Sequence, residues 1–222
     1  KTLADAESLD AHTNALQVRE IYAINDVGLL PRTSFIKRNT KEISIFINLN
    51  IDGTGNYNVD TGVKFFDHML EQFAKHGQFD ITVKSFGDLE IDQHHTIEDV
   101  AIALGEAFKS ALGDRKNIER YSSNESLVMD ETISNVSIDM ASRTLLKMKT
   151  SKLREYVGDF PTEMFEHFFI SFVNALNFTC HIETKGENSH HIVEATFKSF
   201  TRALNKALQR NNTNIASTKG SL

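Results

Sequence analysis

The 222-residue chain has one cysteine, two prolines and no tryptophan. A single thiol, Cys180, excludes an internal disulfide and makes a reducing compartment the simplest expectation. Its place in the strand-like run Phe178-Thr179-Cys180-His181-Ile182 reads as packing and not as a nucleophile. With 40% hydrophobic and 24% charged residues beside so little proline, the composition is that of a folded, soluble protein. No run is apolar enough to span a bilayer, and no signal peptide or Arg-rich transit sequence opens the chain. Positive charge is also in deficit: 24 Lys and Arg face 30 Asp and Glu, for a net charge of −6. That balance argues against nucleic-acid and anionic-membrane partners, while leaving local basic residues free to bind a small phosphate. The expected location is cytoplasmic. Because the chain starts at Lys1 and not Met, a processed fragment is expected, and a removed transit peptide would place it in a plastid instead.

What the chain does have is a pair of near-identical cassettes, His94-His95-Thr96-Ile97-Glu98 and His190-His191-Ile192-Val193-Glu194, each opening a helical apolar pattern. On a helix the glutamate stands one turn beyond both histidines, so imidazole and carboxylate share a face and form a metal-ligand set. Adjacent helical residues point about 100° apart, so two neighbouring histidines point to two metals. One His-His pair alone reads equally well as a solvated helix start. Two copies with the same glutamate offset do not.

Residues 1–34 are polar and acidic early on and read as a tail or linker. Ile43, Ile45, Ile47 and Leu49 alternate as a half-buried strand, ended by Asp52-Gly53-Thr54-Gly55. A helix follows from Phe65, with Gly77 expected as its C′ residue. Phe79–Val83 is a strand, Gly87-Asp88 turns, and the first cassette opens a helix that ends near Gly113. The second half repeats this order: Val136–Met140 as strand, Glu163–Leu176 as helix, Phe178–Ile182 as strand, Lys185-Gly186-Glu187 as turn, then the second cassette and its helix. Aligned, His68 matches His167, Phe79 matches Phe178, Gly87 matches Gly186 and Glu98 matches Glu194.

This internal duplication adds one helical histidine per half, giving six histidines and two glutamates. Divided equally, each metal receives three imidazoles and one carboxylate, with positions open for substrate or water. Such a thiolate-free set suits manganese, iron or zinc. The fold class expected is α+β: residues 35–222 as two βαβ-type repeats, about 35–113 and 127–210, with helices packed between two outer sheets and a C-terminal tail beyond. His12 and His181 read as solvated or structural. A dimetal hydrolase and a metal-holding structural assembly share this ligand pattern and are the rival readings.

The runs Phe66-Asp67-His68-Met69-Leu70, Asp92-Gln93-His94-His95-Thr96-Ile97-Glu98-Asp99, Gly186-Glu187-Asn188-Ser189-His190-His191 and Ser217-Thr218-Lys219-Gly220 resemble the imidazoleglycerol-phosphate dehydratase family of histidine biosynthesis, across about residues 36–222. The resemblance implies a dimanganese lyase that dehydrates D-erythro-imidazole-glycerol phosphate to imidazole-acetol phosphate through an imidazolate held by two Mn ions. It also implies a 24-mer with metal sites at subunit interfaces, and leaves open fusion to a phosphatase domain. Carried over by position, the metal ligands are His68, His94, His95, Glu98, His167, His190, His191 and Glu194, and Glu42 is the acid/base. Gln72 and His76 match substrate-contacting positions, and Arg120, Arg143, Lys198, Ser217 and Lys219 match phosphate-binding ones. The chain departs from the family pattern at Gln93, commonly an aspartate, at Val128, commonly a proline, and in Ala141-Ser142-Arg143-Thr144, commonly Ser-Gly-Arg-Pro. None of these removes a ligand.

Overall fold

Strand alternation sends every second side chain inward. Ile43, Ile45, Ile47 and Leu49 are accordingly buried, while Ser44, Phe46 and Asn48 face out. They form β2 (Ile43–Asn50), which pairs with β1 (Thr33–Asn39) on one side and β4 (Asp80–Gly87) on the other; β3 (Tyr57–Asp60) adds a parallel edge. The sheet order is β1-β2-β4-β3. The computed structural model describes residues 30–211 and 216–218. β1 therefore begins two residues inside the stretch read as a tail, and residues 1–29 of that stretch lie outside those described.

The second half reproduces the first element by element. β5 (Tyr121–Met129), β6 (Thr132–Asp139), β7 (Leu145–Thr150) and β10 (Thr179–Lys185) form a sheet of order β5-β6-β10-β7, again with one parallel edge strand, β7. A two-residue-strand hairpin, β8 (Tyr156–Val157) and β9 (Phe160–Pro161), is the one insertion. Each repeat carries two helices: α1 (Lys64–Gly77) and α2 (His94–Leu112), then α3 (Glu163–Leu176) and α4 (Ser189–Leu208). The expected pair of βαβ-type repeats with helices between two outer sheets is what forms, each repeat enlarged by an added outer strand and an added edge strand.

Helices pair across the repeats, α1 on α4 and α2 on α3. Each contributes one phenylalanine to a central group: Phe73, Phe108, Phe172 and Phe200, with ring centroids 5.6–6.3 Å apart and mostly edge-to-face. Such pairs add about 0.5–1.5 kcal/mol each beyond the area they bury. Where α2 crosses α3, Gly105 lets the backbones close up; a Cβ there would meet the Phe172 carbonyl oxygen at 2.8 Å. Where α1 crosses α4, the Thr201 hydroxyl and the Asn205 amide donate to the carbonyls of Phe73 and Gly77, both at 2.7 Å. Gly77 is thus the last helical residue and not the C′ residue expected; Gln78 takes the left-handed conformation at φ 56°. Thr201 and the Phe79 ring occupy the space a Gly77 side chain would need.

Arg115, in the loop after α2, is buried and donates to the carbonyl oxygens of Met140 and Asn177, both at 2.8 Å, and to that of Leu176. Its guanidinium closes the C-terminal end of α3, where the carbonyls lack helical partners and carry the negative end of the helix dipole. Arg115→Ala should therefore destabilise the fold by about 3 kcal/mol, read as a lowered denaturation midpoint. An unchanged midpoint would show that water replaces the guanidinium. Among the described residues no helix is long and apolar enough to cross a membrane.

Candidate metal centre

Both cassettes open their helices through the same local device. The residue two before the first histidine accepts that histidine's backbone N–H with its side chain: Asp92 for His94 (3.2 Å) and Asn188 for His190 (2.9 Å). In α4 this is a side-chain N-cap by Asn188, while in α2 the bond comes from Asp92, one residue before the N-cap position Gln93. Gln93 itself supplies no side-chain cap, so its departure from the family pattern leaves the helix start intact.

Because helices pair across repeats, each cluster of candidate ligands draws on both halves. On α1 and α4, His68, His190 and Glu194 converge: Glu194 Oε2 lies 2.9 Å from His190 Nε2 and 3.6 Å from His68 Nε2. On α2 and α3, His94, Glu98 and His167 converge: Glu98 Oε2 lies 3.4 Å from His94 Nε2, and Glu98 Oε1 lies 3.2 Å from His167 Nε2. In each cluster the ligand atoms lie within 4.8 Å of one another. His167 Nε2 is buried and makes no hydrogen bond despite that short approach to Glu98. A buried imidazole nitrogen and a carboxylate oxygen that face each other without a hydrogen-bond geometry are the arrangement a shared cation stabilises. The donor set, imidazole and carboxylate without thiolate, fits a first-row divalent ion.

His95 and His191 are not brought into either cluster. The i,i+4 partner of each glutamate is the first histidine of the pair, and the second points about 100° away. The Nδ1 of His95 lies 3.3 Å from both Asp88 oxygens, and that of His191 lies 2.9 Å from Glu131 Oε2. These carboxylates raise the pKa of both rings, and His191 with the Asn188 N–H holds Glu131 well below the ordinary carboxylate range. Two imidazoles and one carboxylate therefore gather per cluster within one chain, one imidazole short of the equal division expected. Asp88 and Glu131 were not singled out from sequence. The signal was present for Glu131, which falls opposite Glu42 when the halves are aligned.

The remaining site residues divide into three groups. Glu42 is exposed at the tip of the β1–β2 hairpin. Gln72 and His76 continue the His68 face of α1. Burial and the cations Lys198 and Arg202 lower the His76 pKa, which places that ring beside α4. Lys198 Nζ sits 2.7 Å from Glu194 Oε1; burial opposes the Glu194 charge, but Lys198 and His190 outweigh it and keep the carboxyl below its usual range. Arg120 and Arg143 instead gather around Asp139, at 2.7 and 3.8 Å, and Arg120 also donates to the Ala216 carbonyl, next to Ser217. The Arg120 backbone N–H bonds the Ala207 carbonyl, about 13 Å beyond Lys198 along α4 at ~1.5 Å per residue, so the Arg120 and Lys198 backbones stand at different levels of that helix. Lys219 lies outside the described residues.

A family model, imidazoleglycerol-phosphate dehydratase, matches residues 61–204. The chain belongs to the imidazoleglycerol-phosphate dehydratase family. The imidazoleglycerol-phosphate dehydratase of Methylorubrum extorquens is 48% identical over 195 residues, covering 86% of this chain and all of that protein. The histidine biosynthesis bifunctional protein HisB of Stenotrophomonas maltophilia is 45% identical over 192 residues, and there the match covers 53% of the relative, so the chain spans about half the length of the bifunctional members. The solved imidazoleglycerol-phosphate dehydratase of Staphylococcus aureus superposes with a TM-score of 0.73 at 33% identity, over 81% of this chain and 99% of that one. The stretch that the family model matches runs through both repeats and takes in both cassettes, His94–Glu98 and His190–Glu194.

Proposed function

We propose that the chain is a hydro-lyase that dehydrates D-erythro-imidazole-glycerol phosphate to imidazole-acetol phosphate in histidine biosynthesis, with two manganese ions per active site. The observation that carries this reading is the pair of cross-repeat clusters, His68/His190/Glu194 and His94/Glu98/His167, in a chain of this family. When bound, the ions supply Lewis-acid stabilisation of negative charge on the imidazole ring. His95 and His191, turned away from both clusters, are proposed to complete the clusters of neighbouring copies in a homo-oligomer. That addition restores three imidazoles and one carboxylate per ion.

The reaction removes a hydroxyl from the carbon attached to the ring and a proton from the next carbon, and the resulting enol becomes the ketone. That proton is barely acidic, so a placed base is needed. Glu42, solvent-facing and near enough to His95 to raise its pKa, is the carboxylate for that transfer. General acid/base catalysis of this kind contributes about 10²–10⁴-fold. The phosphate does not react. Lys198, Arg120, Arg143, Ser217 and Lys219 are proposed to grip it, and Gln72 and His76 to border the ring, so remote binding energy holds the reacting carbons in register. With the Lys198 and Arg120 backbones at different levels of α4, the grip too is proposed to be assembled from more than one copy.

Imidazole-glycerol phosphate supplied with manganese should yield a product lighter by one water, seen by mass spectrometry, with no phosphate released. Chelator treatment should stop turnover and reduce the oligomer to smaller species, both restored by manganese. Release of inorganic phosphate from this substrate or from generic phosphate esters would favour a dimetal hydrolase instead.

A further inference from the structure

The hairpins that open the two sheets end on equivalent glutamates. Register fixes the equivalence: Ile43 of β2 pairs with Gly87 of β4, and Thr132 of β6 sits over Gly186, next to the Ile133–Lys185 pair. Glu42 and Glu131 immediately precede Ile43 and Thr132, so each stands at the same place relative to its own cassette.

They are nevertheless used differently. Glu131 Oε2 takes His191 Nδ1, while Oε1 accepts the backbone N–H groups of Asn188 (2.8 Å) and Glu187 (3.3 Å) and the Thr132 hydroxyl (3.0 Å). One carboxylate thus ties the hairpin to the start of α4 and claims the inner nitrogen of the ring. An ionised carboxylate only accepts, so Nδ1 carries the proton and the Nε2 lone pair stays available. The carboxylate oxygen facing Nε2, Asp130 Oδ2, is 3.7 Å away, beyond hydrogen-bond reach. The Glu42 carboxylate, by contrast, makes no hydrogen bond among the described residues. The matching service to His95 comes from Asp88, in the turn after β4, at 3.3 Å.

We propose that the duplicated hairpin carboxylates have divided their labour: Glu131 is a positioning residue that fixes the tautomer and direction of His191, and Glu42 is free to transfer protons because Asp88 orients His95 in its place. This rests on the reading of His95 and His191 as ion ligands in the assembled protein. Carboxylate–histidine pairs that orient a ligand are worth about 10–100-fold in metal affinity.

Glu131→Gln separates the roles cleanly. Its amide oxygen can keep the Asn188 and Glu187 N–H groups, which turns the NH₂ toward His191 and moves the ring proton from Nδ1 to Nε2, the nitrogen an ion would need. The alternative flip sets the NH₂ against two N–H donors. The full chain and its variants are titrated with Mn²⁺ and melted with and without chelator. Glu131→Gln and Asp88→Ala should each bind manganese about 10–100-fold more weakly, with the chelated Glu131→Gln protein still folded and melting in one cooperative transition. Glu42→Gln should bind manganese normally and lose turnover. Normal manganese affinity in Glu131→Gln overturns the inference, as does weakened affinity in Glu42→Gln. If the unaltered protein takes up no divalent ion, the ligand reading itself fails and the inference falls with it, so the two failures are told apart.

Discussion

Glu194→Gln is expected to lower kcat/KM by about 10³-fold or more, the equivalent of losing roughly 4 kcal/mol of stabilisation from one ion. The manganese held per chain should fall by about half. Glu194 is buried on α4 between His190, His68 and Lys198, and it supplies the anionic donor of its cluster. The amide keeps the size and one acceptor, so packing survives. What goes is the charge, which leaves two imidazoles to hold an ion beside the Lys198 ammonium, now without its carboxylate partner. The α2–α3 cluster shares no ligand with this one and should keep its ion. Glu98→Gln should show the mirror result. Metal stoichiometry measured with steady-state kinetics checks both, and full occupancy in Glu194→Gln would remove that residue from the ligand set.

The central elements were legible from the sequence because their signals are local. The Ile43–Leu49 alternation, the Glu163–Leu176 helix and the helices opened by His94 and His190 stand where periodicity and caps put them. The outer and edge strands were not. β1 and β7 each expose alternate residues to solvent and leave the others only half-buried, so their alternation is weak, and β3 is four residues long. The Ser122–Glu125 register shift breaks the period of β5. Such strands are specified by pairing to β2, β4, β6 and β10, which is non-local.

The same distinction holds at the site. The i,i+4 geometry of His94 with Glu98 and of His190 with Glu194 follows from helical spacing. Which helices would meet does not. The cross-repeat pairing of α1 with α4 depends on contacts such as Thr201 with Phe73, 128 residues apart. The halves also diverge beneath similar patterns. In the second repeat the Ser134, Thr184, Thr196 and Ser199 hydroxyls form a fully buried network under α4, with separations of 2.7–2.8 Å. The first repeat has Ile45, Ser85, Val100 and Ala103 at the aligned positions, mostly apolar packing. Buried hydroxyls that satisfy one another fix a unique rotation of the helix they hold. Here that helix carries three of the eight proposed ligands.

The second large effect follows from the incompleteness of each cluster within one chain. His68→Ala breaks a cluster on the chain that holds it, whereas His191→Ala removes an imidazole that turns toward Glu131 and away from both clusters of its own chain. Each variant alone should be nearly inactive, by about 10³-fold, as expected when an ion loses a ligand. Their defects lie on opposite sides of an interface, though, if His191 serves a neighbouring copy. In mixed oligomers some sites then combine an intact His68 cluster from one chain with an intact His191 from the other. Turnover of imidazole-glycerol phosphate by co-expressed, co-purified His68→Ala and His191→Ala chains is therefore the most direct measurement. Sites shared between chains predict activity several-fold above the sum of the two variants. Activity equal to that sum, in oligomers verified to contain both chains, would contradict the account.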